Sequence, residues 1–178
     1  MINSLIQSFS GLIVLADILI PLYIVLYLIA RKTKNQALVN FFNFVSDNFL
    51  SFGFLLSLSA MLGSFFLEIV AKYPACELCW YQRIFMFPQA IILGIAMFKN
   101  EVSVKVYSIS LASIGLLIGI YHILVQNGQV YSPCSTQVVN CSVKQFVYFG
   151  YVTIPVMSVT AFLILILLSL PAIKKRKK

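Results

Sequence analysis

Cys76-Glu77-Leu78-Cys79-Trp80-Tyr81-Gln82-Arg83 stands between two long apolar runs. Two thiols separated by two residues can close on each other, the usual way a protein alternates between dithiol and disulfide. The residues from Cys79 onward read as the start of a helix. Cys79 therefore lies near a helix N-terminus, where exposed backbone N–H groups favour a thiolate over a thiol, and is a candidate reactive cysteine. Before the motif, residues 49–70 are rich in Leu, Phe and Ser, and Gly53, Ala60 and Gly63 allow a neighbouring helix to approach. After it, residues 80–98 form a second run with Pro88 as an internal kink. Each run is long enough to cross a bilayer, which takes about 20 apolar residues as a helix.

Moving outward, residues 12–30 form a first apolar run containing Asp17 and Pro21, and residues 37–48 form a mixed amphipathic connector at the membrane interface. Residues 106–125 make a fourth span, 126–146 a polar loop with the second cysteine pair, and 147–170 a fifth span before a basic tail. The 178 residues are 61% hydrophobic and 10% charged, which leaves little chain for a soluble domain. A leader for cleavage would carry basic residues before its apolar segment and small residues at a cleavage site, and neither is evident here. The first run is accordingly read as an uncleaved span with its N-terminus outside.

The net charge of +8 is a matter of orientation rather than a nucleic-acid footprint, because the basic residues flank the apolar runs. Five spans with a cytoplasmic tail put Arg31, Lys32, Lys34, Lys99, Lys105 and the tail's Lys174, Lys175, Arg176, Lys177 and Lys178 inside. Only Lys72, Arg83 and Lys144 are then outside. The same orientation places Cys76, Cys79, Cys134 and Cys141 on the outer face, where disulfides persist.

Four cysteines allow three pairings, and spacing does not choose among them. None lies deep in an apolar run, so all are expected near water. For Cys76 and Cys79 the bland readings are a structural disulfide or half of a zinc site. So small a ring restrains the unfolded chain little, and the distance in sequence to Cys134 is long for a zinc ribbon, so exchange is the better fit. Cys134 and Cys141 are either a hairpin staple or a relay that takes electrons from a soluble dithiol. Arg83 falls one turn below Cys79, either snorkelling to headgroups or stabilising a Cys79 thiolate and a reduced acceptor. His122, at the end of the fourth span, either donates to a ligand carbonyl or is hydrogen-bonded in the interface. Glu68 is read as interfacial, and Glu77 as a weak, exposed opponent of thiolate formation. Asp17, an ionisable group within an apolar run, is either a functional residue or, the better fit so near the outer boundary, a hydrogen-bond partner of a neighbouring helix, and the aromatic residues around the motif match an interfacial belt.

The Cys76–Arg83 stretch, Tyr121-His122, the Cys134 and Cys141 pair and Gly150-Tyr151-Val152-Thr153-Ile154-Pro155 together resemble the DsbB family of bacterial membrane disulfide-generating oxidoreductases, especially its short BdbC-type branch. The related vitamin K epoxide reductase type usually has its loop cysteines before the Cys-X-X-Cys, the reverse of the order here. The resemblance implies an all-α membrane protein with a DsbB-like four-helix transmembrane bundle over residues 49–178, two outer cysteine loops and a basic cytoplasmic tail. Residues 1–48 then form an additional N-terminal transmembrane helix and connector. It implies location in the bacterial plasma (inner) membrane, a soluble DsbA-like thioredoxin-fold partner, and a quinone, menaquinone or ubiquinone, as electron acceptor. Neither a metal nor nucleic acid is implied. Carried over, Cys134 would be attacked by the partner's thiolate, Cys141 would exchange with Cys76, and Cys79 would face the quinone, with Arg83 stabilising charge and His122 beside the acceptor. The rival readings are a reductant conduit running the other way, a non-catalytic scaffold with two structural disulfides, and a site with all four thiolates on one metal ion.

Overall fold

The computed structural model describes residues 2–33, 35–132, 134 and 139–170; Lys34, part of the second cysteine loop and the basic tail lie outside the described residues. The described chain is an all-α membrane bundle. Its helices are α1 (Ile2–Thr33), α2 (Gln36–Asp47), α3 (Phe49–Phe65), α4 (Glu77–Lys99), α5 (Lys105–Gln126) and α6 (Ile154–Leu168). Four segments among the described residues are long and apolar enough to cross a membrane: α1, Phe49–Val70, α4 and Val102–Gln126. The fifth, α6, is shorter.

α3, α4, α5 and α6 form a closed ring, each packing along the next and α6 returning to α3. Their shared core contains Phe49, Met86, Leu93, Ala112, Phe162 and Leu165. α5 and α6 approach so closely that a Cβ on Gly115 would stand 2.2 Å from Phe162 Cζ, and one on Gly119 would stand 2.7 Å from Val159 Cγ2. A buried polar link joins α4 and α5, where Ser108 Oγ donates to Gln89 Oε1 at 2.7 Å. Gln89 Nε2 in turn donates to the Phe85 carbonyl, adding a donor to the turn that Pro88 interrupts. α2 begins at an Asn35 cap whose side chain accepts the Ala37 N–H. It lays Val39 and Phe42 against Tyr27 and Ala30 of α1.

The outermost spans differ from their expected limits. α1 starts at Ile2 rather than residue 12 because Ile6, Phe9, Ser10 and Ile13 recur at helical spacing among the polar residues of the N-terminal segment, and Ile6 and Ser10 are buried. Its 32 residues reach about 48 Å, more than the roughly 30 Å hydrocarbon layer. α6 starts at Ile154 rather than residue 147. Phe149 and Gly150 both take positive φ in a turn closed by Tyr148 and Val152, and Pro155 then suits the first helical turn. The second span also ends irregularly, as a π-helical turn over Phe66–Val70 whose Ala71 N–H reaches the Phe66 carbonyl.

Candidate functional site

The cysteines gather at one end of the ring. Cys76 is the N-cap of α4, one turn before Trp80, and Cys79 lies within the first turn. Their sulfurs stand 3.0 Å apart as free thiols. Cys134 and Cys141 are joined as a disulfide. All four belong to one cluster with Leu78 and Val125.

His122, in the last turns of α5, ties the two pairs together. The Gln82 amide nitrogen faces its Nδ1 at 3.0 Å, so the ring proton falls on Nε2. That nitrogen lies 3.2 Å from the Cys141 carbonyl oxygen and 3.6 Å from Cys76 Sγ. The Cys76 thiol is held far below its ordinary range, at about 4. The hydrogen bond from the Cys79 thiol is the main cause and the His122 ring assists, while burial opposes them.

Cys76, Cys134 and Cys141 are buried, contrary to the expectation that every cysteine lies near water. The loop folds back over the helix ends. Gln126 Nε2 donates to the Val143 carbonyl, Lys144 Nζ to Asn127 Oδ1, and Gln145 Nε2 to the Pro74 carbonyl. A pocket of only about 10 Å3, lined by Cys76, Cys79, His122, Gln126 and Asn140 among others, remains beside the thiols.

Below this junction lies a second, apolar cavity of about 430 Å3, walled by α1, α3, α4 and α6. Cys79, Gln82 and Arg83 line it together with Gly63, Ser64, Met86 and Phe87. Arg83 Nε donates to Ser64 Oγ at 2.8 Å, its Nη1 pairs with the Glu68 carboxylate, and its guanidinium lies 4.9 Å from the Trp80 ring centroid. Glu68, expected at the interface, is thus the counter-ion of Arg83. Asp17 accepts hydrogen bonds from Thr160 Oγ1 at 2.6 Å and Tyr151 Oη at 2.8 Å, the expected link to a neighbouring helix.

The structure therefore brings Cys76, Cys79, Cys134, Cys141 and His122 together and places Arg83 one turn down the cavity wall from Cys79. His122 faces the cysteines and does not line the apolar cavity. Cys76, Cys79 and His122 have ligand atoms within 4.8 Å of one another, a spacing open to a soft metal ion. With Cys134 and Cys141 joined, the four-thiolate arrangement is not the one adopted. Sequence reasoning missed Gln82, Ser64 and Glu68. Gln82 had a signal, since it falls three residues, about one turn, after Cys79 on the same helix.

The family model described as disulfide bond formation protein DsbB matches residues 46–172. Disulfide bond formation protein C of Bacillus subtilis (strain 168) is 42% identical over 122 residues, 67% of this chain and 88% of the relative. A probable disulfide formation protein of Oceanobacillus iheyensis is 40% identical over 121 residues, 66% of this chain and 83% of the relative. A probable disulfide formation protein C of Halalkalibacterium halodurans is 36% identical over 141 residues, 73% of this chain and 96% of the relative. No solved structure gives a significant match.

Proposed function

This chain belongs to the DsbB family of disulfide bond formation proteins, in its BdbC branch, and from that premise we propose that it reoxidises a soluble DsbA-like thioredoxin-fold protein and delivers the electrons to a membrane quinone. As a multi-pass membrane member of that family it is a disulfide oxidoreductase acting in disulfide bond formation. The observation that carries the finer reading is the position of Cys79. It borders both the small pocket between the thiols and the second cysteine loop and the large apolar cavity, whereas Cys76 borders only the first.

The order of exchange is the one that the family resemblance implies, and the gathering of all four cysteines at one end supports it. The partner's thiolate attacks Cys134, the Cys134–Cys141 bond breaks, and the partner's second thiol resolves the mixed disulfide, leaving the partner oxidised and the loop pair reduced by two electrons. Cys141 then attacks Cys76 of a Cys76–Cys79 disulfide and expels Cys79 as thiolate. Attack of Cys134 on Cys141 re-forms the loop disulfide and leaves Cys76 and Cys79 as the dithiol. His122, whose Nε2 lies near Cys76 Sγ and is held by the Cys141 carbonyl oxygen, stabilises anionic sulfur at Cys76.

A quinone supplies the acceptor for two electrons and two protons. The residues fit such a molecule, because the cavity falls within the roughly 300–1,000 Å3 of small-molecule sites and is lined mainly by apolar side chains, with Gln82 and Arg83 among its polar ones. Arg83, held by Glu68 and Ser64, fixes a cation at that polar end. The basic flanks of the spans support an orientation with the cysteine end outside and the tail cytoplasmic.

The buried loop disulfide favours one rival, a scaffold stapled at that end. Trapping separates the two readings. In the wild type with its loop disulfide intact, a reduced DsbA-like protein whose second active-site cysteine is serine should open the Cys134–Cys141 bond and be held as a mixed disulfide on Cys134 once the released Cys141 thiol is alkylated, visible on a non-reducing gel. Absence of any adduct, with the protein folded, would favour the scaffold.

A further inference from the structure

The family match begins at residue 46, so α1 lies wholly outside it, yet α1 supplies part of the apolar cavity. Ile6, Phe9, Leu12 and Ile13 face the same space as Cys79 and Arg83. α1 packs along α6 and, toward its basic end, along α2. The Asp17 carboxylate secures it to α6 by accepting from Thr160 and from Tyr151, just before that helix. A carboxylate at this depth in an apolar run is costly unless it is partnered, so these bonds set the register of α1 on the bundle. Across the cavity, Phe9 meets Phe66 with ring centroids 6.4 Å apart. On the α3 side, a Cβ added to Gly63 would find no atom within 4 Å, so the space between α1 and α3 is open at that point.

Take α1 away and Cys79 and Arg83 stand on the lipid-facing flank of a four-helix ring. With α1 present, the same flank becomes one wall of a partly open cavity between α1 and the bundle. We propose that α1 is a specificity wall of the acceptor site, holding a lipophilic quinone between itself and the α3–α4 face and selecting it by bulk at Phe9 and Ile13. This rests on the quinone reading above and extends it to a helix that the family match does not include.

The test uses the full chain in detergent and two readouts. Trp80 is the only tryptophan and stacks on Arg83, so quenching of its fluorescence by a short-chain ubiquinone or menaquinone analogue reports binding without turnover. Steady-state kinetics with a reduced thiol donor then separate the quinone KM from kcat. The double variant Phe9→Ala, Ile13→Ala should weaken quinone binding and raise the quinone KM by about tenfold through lost apolar contact, leaving kcat at saturation and the donor KM in place. Asp17→Asn should act in the same direction, and Gly63→Leu should weaken binding by filling the cavity from the opposite wall. Leu19→Ala, on the exposed side of α1, should change nothing.

Quinone affinity unchanged in the α1 double variant while Gly63→Leu weakens it would overturn the proposal and leave a cavity site that does not depend on α1. Affinity unchanged in both would remove the cavity from the acceptor site altogether. A wild type that binds quinone in an α1-dependent way but never reduces it would refute the oxidase reading and uphold the wall. A wild type that neither binds nor reduces it would refute both.

Discussion

Cys76 and Cys79 are three residues apart but face different surroundings, the first packed against His122 and the loop disulfide, the second also open to the apolar cavity. Under the proposed exchange, that division gives them different partners. Because the Cys76 value is lowered from an ordinary 9.0 to about 4, the unfolded reduced chain binds more protons than the folded one between those limits. Stability of the reduced protein should therefore rise as pH is raised from about 4 toward 9, and this contribution should be lost as pH falls through about 4. Ultraviolet thiolate absorbance checks the titration itself, and His122→Phe should move its midpoint upward. A wild-type midpoint in the ordinary thiol range would contradict the assignment. The thiol pair and Arg83 were legible in the sequence because Cys-X-X-Cys and an i, i+4 spacing are local. The partners of His122 and Arg83 were not, since Gln82 meets His122 only once α4 and α5 pack, and Glu68 sits in a π-helical turn that departs from ordinary helical phase.

Among the elements, close approach of α5 to α6 holds His122 at the cysteine end. Gly115→Ala would drive a methyl into Phe162, which is fully buried, and is expected to cost about 1–3 kcal/mol, seen as a lower Tm in detergent. Gly63→Ala, with open space at its Cβ, should leave Tm unchanged or raise it. Equal losses at both positions would argue that helix contacts differ from those described. The long central spans were legible because hydropathy and length suffice for them. The limits of α1 and α6 were not, because burial of Ile6 and Ser10 and the turn around Gly150 depend on what those segments pack against. Burial of Cys134 and Cys141 likewise follows from hydrogen bonds between the loop and the helix ends, which a run of polar loop residues does not announce.

For the molecule as a whole, the cysteine cluster and the basic flanks occupy opposite ends of one bundle, which supports an oxidase that meets its thiol partner outside and its acceptor within the bilayer. In a cysteine-free background, Gln129→Cys should react with a membrane-impermeant maleimide applied to intact cells, and Glu101→Cys only after the membrane is opened; both positions are exposed. The reverse pattern would invert the orientation. The most direct test of thiol-to-quinone transfer is loss of quinone absorbance in detergent with a reduced DsbA-like protein as donor, comparing wild type, Cys79→Ser and Arg83→Ala. Turnover should vanish in Cys79→Ser and fall by at least about tenfold in Arg83→Ala, where a fixed cation beside developing charge is lost. Folded wild type that reduces neither ubiquinone nor menaquinone, or a Cys79→Ser variant that turns over undiminished, would contradict it.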